Sequence, residues 1–203
     1  PECWSSLEAL TIFQHDPLSG TGKKYYERRL ARLIISMFYG LGLRRSELIG
    51  LTIGSVDGSR KVVNVVGKGN KSRSIPLIDS LQAEISLYLQ AVESLSGRTR
   101  SAAEPLLITF TLRELYPTYV DRVVKAELGD SQGVTGRKSP HVLRHSIATG
   151  LLNEGAQLNS IKELLGHSSL AATQVYTHSS IARLKDIYKQ AHPRAKNGGK
   201  HGD

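Results

Sequence analysis

Residues 61–77, KVVNVVGKGNKSRSIPL, place the tightest constraint on the fold. Two β-rich runs, 62–66 and 72–76, flank the turn sequence GKGNK. Branched side chains pack well on a pleated surface and lose rotamer freedom in a helix. Gly67, Gly69 and Asn70 supply the positive φ that a tight hairpin turn requires. A β-hairpin is therefore expected here, and the rest of the chain must accommodate it.

On either side the apolar spacing is helical. In KKYYERRLARLIISMFYGLGL the residues Leu30, Leu33, Ile34, Met37, Phe38 and Leu41 recur at helix period, and Gly40 and Gly42 end the segment. Residues 5–13 predict a short helix capped by Ser5 or Ser6, followed by a turn-rich loop over 14–22. RRSELIGL predicts another short helix, with Ser46 and Glu47 near its start. Helical spacing returns over 79–94, a polar loop covers 95–104, and Pro117 opens a helix that runs to Leu128. A second loop spans 129–138, and further helices are expected over 140–153, 158–165, 169–178 and 181–190. Residues 106–109 are the expected third strand. The fold class is α+β: one mainly helical domain over 1–195 with a small three-stranded antiparallel sheet, then a disordered tail over 196–203.

Charge narrows the partner. The chain carries 27 Lys+Arg against 18 Asp+Glu, a net +9, with a pI near 9.7. That balance points to a polyanion, most simply nucleic acid. Cys3 is the only cysteine, so no internal disulfide is available. No apolar run reaches the roughly 18 residues of a transmembrane helix, and no basic-then-apolar segment opens the sequence. The expected compartment is the cytoplasm. The start at Pro1 rather than Met is read as a cut from a longer chain.

The candidate chemical groups are cationic and aromatic. In SPHVLRHSIATGLL, His141 and Arg144 are three apart and share a helix face. His141 and His145 have the four-residue spacing of some metal ligands. No glutamate follows the first histidine, no cysteine assists, and the intervening arginine repels a cation, so no metal is expected. An arginine beside a histidine suits an anion, because guanidinium offers a planar fork that matches two phosphate oxygens. Arg44 and Arg45 follow a Gly-terminated helix. Lys68, Lys71 and Arg73 belong to the hairpin, which as a two-stranded ribbon fits a DNA groove. GKGNK is no phosphate-binding P-loop, since it lacks the required spacing and the following helix. Finally, LGHSSLAATQVYTH carries His167 and, nine residues later, Tyr176.

The order of these signals is more specific than any one of them. GLRRSEL, GKGNK, HVLRH, LGH and a tyrosine nine beyond that histidine occur in sequence. This arrangement resembles the catalytic domain of the tyrosine recombinases, the phage integrase family, and is most similar to its Xer-type members. The resemblance covers roughly residues 5–195, including the AHPRA ending. It implies catalytic roles for Arg44, Lys68, His141, Arg144, His167 and Tyr176, and a supporting role for Glu47. Arg45, Lys71 and Arg73 are the expected further DNA contacts. Family members of this type usually carry an N-terminal helical domain that clamps the other face of DNA, and the resemblance does not extend over one here.

The reaction implied is transesterification at a DNA phosphodiester, through a 3′-phosphotyrosyl intermediate on Tyr176, with no cofactor. Arg44 and Arg144 would hold the non-bridging oxygens, His167 would add a donor, His141 would take the phenol proton, and Lys68 would protonate the leaving 5′ oxygen. Double-stranded DNA is the expected partner, with a tetramer on DNA assembled through the apolar stripe of the helix over 181–190. Three other readings compete: a catalytically silent DNA-binding module, a type IB topoisomerase-like activity, and a metal-dependent nuclease.

Overall fold

The computed structural model describes residues 22–129, 139–153 and 157–166, apart from the side chains of Val142, Ser146 and Glu163. The expected helices over 5–13, 169–178 and 181–190, most of the loop over 129–138 and the tail over 196–203 lie outside the described residues.

Helix α1, Lys23–Leu41, is the spine of the domain. From Leu30 onward it is buried on nearly every side, with Leu30, Ile34, Ile35, Met37 and Phe38 fully enclosed. A helix apolar all round must be surrounded, and α1 packs against α3 (Asp79–Ser96), α4 (Pro117–Leu128) and α5 (Pro140–Asn153). Gly42 ends α1 in the left-handed conformation, φ 60°, and its N–H donates to Phe38 O at 3.1 Å. After three residues the five-residue helix α2, Arg45–Ile49, begins. Helix α6, Leu158–Leu165, follows α5 and packs on it.

The sheet has the order β1-β2-β3, with β1 at Val56–Asp57, β2 at Val62–Val66 and β3 at Ser72–Pro76. Both pairings are antiparallel, and Val63 faces Ile75 while Val65 faces Arg73. Val63 and Val65 are buried whereas Asn64 and Val66 are exposed, so the inner face of the ribbon is the one that carries Val65 and Arg73. The hairpin runs as the spacing predicts, but its turn differs. Gly69 and Asn70 have positive φ, 75° and 58°, while Gly67 is at −102°. Gly67 gives a close approach instead: a Cβ there would stand 3.3 Å from Glu47 Oε1.

The third strand is Val56–Asp57, not 106–109. Leu106, Leu107 and Ile108 are buried, but they sit in an irregular segment tied down by Leu106 N–H to Leu51 O at 2.7 Å. A short apolar run fills a core equally well from a strand or from a tethered loop, and spacing cannot separate the two. Ile108 is held by tyrosines: Tyr88 Oη accepts its N–H at 2.9 Å and Tyr26 Oη donates to its carbonyl at 2.9 Å. Burial pushes both phenols upward, so they remain neutral donors. Among the described residues no helix is long and apolar enough to cross a membrane.

Gly42 sets the exit of α1 toward Arg44, and a Cβ on it would lie 2.5 Å from Leu165 Cδ2 and 3.1 Å from Ile147 Cγ2. Gly42→Ala adds that clash to a left-handed backbone that alanine resists. The expected cost is about 2–3 kcal/mol, read as a lower urea midpoint at unchanged m-value.

Candidate active site

Glu47 is the centre of the site. It stands at the third position of α2, where a carboxylate can reach back to the free N–H at the helix start, and its Oε2 accepts from Arg44 N at 2.7 Å. Arg44 Nη1 donates to Oε1 at 2.7 Å. From β3, Arg73 forks onto both oxygens, Nη1 to Oε1 and Nη2 to Oε2, each at 2.9 Å. Arg144 Nη1, from α5, stands 4.0 Å from Oε2. The carboxylate is only 2% exposed. Burial alone would raise its pKa, but the donors from Arg73 and Arg44 prevail and hold it at about 2.

The same arginines cap the end of α6. Arg73 Nε donates to Leu164 O at 2.8 Å, Arg144 Nη2 donates to Leu165 O, and Arg44 Nη2 donates to Gly166 O at 2.9 Å. Arg144 Nη1 also donates to Gly42 O at 2.5 Å. The last carbonyls of a helix lack partners within it and carry the negative end of its dipole, so guanidinium groups suit them. Gly166 takes φ 65°, and a Cβ there would stand 3.0 Å from Arg73 Nη1. Burial, with Arg44 alongside, draws the Arg144 guanidinium down to about 10; it remains cationic at neutral pH.

Four of the expected site residues, Arg44, Glu47, Arg73 and Arg144, are thus gathered at one place, immediately before His167 in the chain. His141 is exposed in the first turn of α5, one turn ahead of Arg144. Lys68 and Lys71 are exposed at the hairpin turn. Arg45 pairs with Asp121 of α4 on the surface. His167 and Tyr176 lie outside the described residues. Arg73 departs from the expected DNA contact: its side chain is 8% exposed and its three guanidinium nitrogens are bonded internally. The signal for this was in the hairpin register, which puts Arg73 opposite the inward Val65. Among the described residues no cluster of three His, Cys, Asp or Glu side chains could hold a metal.

The model of the phage integrase family matches residues 12–183. A curated relative, tyrosine recombinase XerC of Mycobacterium sp. (strain KMS), is 44% identical over 168 residues, covering 81% of this chain and 54% of the relative. XerC of Chlorobaculum parvum is 40% identical over 186 residues, covering 88% and 55%. The chain therefore spans about half the length of the curated relatives it matches. Among solved structures, XerA recombinase is similar at 29% identity and a TM-score of 0.58, over 82% of this chain and 57% of that one. XerH in a post-cleavage complex with a palindromic difH substrate shares the fold, with a TM-score of 0.67 at 21% identity over 95% of this chain and 49% of that one.

A pH test follows from Glu47. Its folded pKa of about 2 lies below the ordinary 4.5, so the ionised carboxylate stabilises the fold above pH 4.5. That contribution is lost as pH falls toward 2. Glu104, also held at about 2 by Arg98 and the Ser101 N–H, titrates in the same window. Glu47→Gln should lower stability at pH 7 and flatten the acid limb between about pH 4.5 and 2, leaving the smaller slope of the remaining acids. Urea midpoints across that range check it.

Proposed function

The chain belongs to the phage integrase family, and on that premise we propose that residues 1–195 are the catalytic domain of a site-specific tyrosine recombinase that cuts and rejoins double-stranded DNA. One observation carries this reading. Arg44 and Arg144, far apart in sequence, donate to adjacent carbonyls, Gly166 O and Leu165 O, at the turn that leads into His167. A phosphate at that turn would meet the open side of the Arg44 guanidinium, with the more buried Arg144 alongside. About a third of the Arg44 side chain remains exposed, so its guanidinium has an open side.

In the proposed reaction the Tyr176 phenol oxygen attacks phosphorus in line and the 5′ oxygen departs. One P–O ester bond replaces another, so neither ATP nor water enters. A free phenol has a pKa near ~10 and is a weak nucleophile at neutral pH. His141, exposed at the start of α5, takes its proton. Lys68, at the exposed hairpin turn, gives a proton to the leaving oxygen. Arg44, Arg144 and His167 stabilise the charge that builds on the non-bridging oxygens, each such donor being worth typically ~3–4 kcal/mol. Lys71 and Arg45, both solvent-facing, supply further DNA contacts. The net charge of +9 favours a polyanion, and XerH, which shares the fold, is bound to a palindromic difH substrate. Cytoplasmic work is the proposed setting.

Incubation with nicked suicide duplexes should trap a covalent adduct at a 3′ phosphate, mapped to Tyr176 by peptide mass. Tyr176→Phe should abolish the adduct while DNA binding persists, and EDTA should change nothing. A silent binding module would yield no adduct, and a metal-dependent nuclease would respond to EDTA. Relaxation of supercoils lacking a recombination site would favour a topoisomerase.

The helix expected over 181–190, with Ile181, Leu184, Ile187 and Tyr188, is proposed to dock on a neighbouring protomer in a DNA-bound tetramer. Deleting 180–203 should abolish strand exchange and leave DNA binding largely intact, as read by Holliday-junction formation and gel shift. Unchanged recombination would exclude this docking.

A further inference from the structure

Lys68 sits at an exposed hairpin turn, whereas Glu47 and Arg144 lie inside the domain. A reaction that uses hairpin and interior together needs them in a common frame. Arg73 is placed to supply it. It lies on β3, on the inner face of the ribbon that carries Lys68. Its fork holds both oxygens of Glu47 on α2, and its Nε holds Leu164 O at the end of α6. Gly166 lies against its guanidinium plane, with a Cβ there standing 3.2 Å from Cζ. One side chain therefore touches the hairpin, α2, α6 and the turn into His167. Glu47, so fixed, in turn holds the backbone and the guanidinium of Arg44.

We propose that Arg73 is a positioning residue for DNA cleavage: by clamping Glu47 and the end of α6 it holds Arg44, the Lys68 hairpin and the His167 turn in one arrangement. The proposal rests on the cleavage reading above. A phosphate contact is a poor alternative, since every guanidinium nitrogen is already engaged and the side chain is 8% exposed. A lysine could not serve in its place, because an ammonium lacks the planar fork and the separate Nε donor.

The test uses the full chain with Arg73→Gln, Arg73→Lys, Glu47→Gln and the Arg73→Gln/Glu47→Gln double variant. Arg98→Gln, which removes surface bonds to Glu104 and the Thr99 carbonyl away from the cluster, is the control. Arg73→Gln should slow single-turnover adduct formation on the order of 100-fold, the penalty for displacing a reacting group by about 1 Å. DNA affinity and its salt slope should stay at wild-type values. Arg73→Lys should still slow the reaction by roughly 10-fold or more, as loss of an outer support does, and it carries the comparison if Arg73→Gln does not fold. The double variant should be no slower than the slower single one, because both act through the same carboxylate. Nitrogen-15 NMR of the Arg44 guanidinium should show faster N–H exchange in both Arg73 variants and no change in the control.

Cleavage within ~3-fold of wild type in Arg73→Gln, or single effects that multiply in the double variant, would overturn the proposal. So would a salt slope reduced by about 1, the mark of a lost phosphate contact. If the wild-type chain forms no adduct, the cleavage reading fails by itself. The Arg44 signal then decides the positioning claim, which falls if Arg44 is as well protected without Arg73 as with it.

Discussion

A carboxylate taken out of water stays ionised only if donors replace the water, and Glu47 obtains four hydrogen bonds from two arginines. Even after relaxation, burying an unpaired charge costs several kcal/mol, and truncating one partner of a buried pair typically costs ~3–5 kcal/mol. Neither Arg44 nor Arg73 can move away without stranding Glu47, and α2 cannot shift without breaking its own start. This mutual dependence does more than stabilise. It converts a five-residue helix, too short to persist alone, into a fixed platform for Arg44.

The end of α6 completes the arrangement from the other side. Leu164, Leu165 and Gly166 present successive carbonyls, and each receives a different arginine, from β3, α5 and the start of α2. Helix ends are ordinarily closed by local backbone bonds or by water. Here the closure is made by side chains from distant parts of the sequence, so the placement of the turn before His167 becomes a property of the tertiary fold. The buried length of α1 underlies this, since α3, α4 and α5 all pack on it and Gly42 hands the chain from its end directly into the site.

Much of the architecture was legible because it was local. The runs over 62–66 and 72–76 became β2 and β3 with those bounds, and Pro117 opened α4 as its fixed φ allows. The first strand of the sheet was not legible, because two residues, Val56 and Asp57, cannot display an alternation. Arg73 follows Lys71 near a basic turn and so reads as groove-facing from the sequence. Its side is set by pairing with Val65, and counting back from the turn would have placed it inward. Gly67 suggests a torsional role in the sequence, yet its φ is −102° and it lies close to Glu47. The meeting of Arg44 with Arg144 had no periodic signature; only the order of motifs pointed to it.

The charge balance of the cluster favours an incoming anion. Arg44, Arg73 and Arg144 bring +3 and Glu47 brings −1, so +3 − 1 leaves +2 around one carboxylate. The carbonyl dipoles of α6 offset part of that excess; burial first, then the repulsion of Arg44, lowers the Arg144 pKa to about 10. An anion seated beside Arg44 and Arg144 relieves this repulsion, and relieves it further as additional negative charge develops on phosphorus in the proposed transfer. Donors placed this way favour the more highly charged state of the proposed transfer. Guanidinium is the group that tolerates such pressure. An ammonium at 144, desolvated and crowded to the same degree, would give up its proton far more readily, and the site would lose its charge as the anion approached.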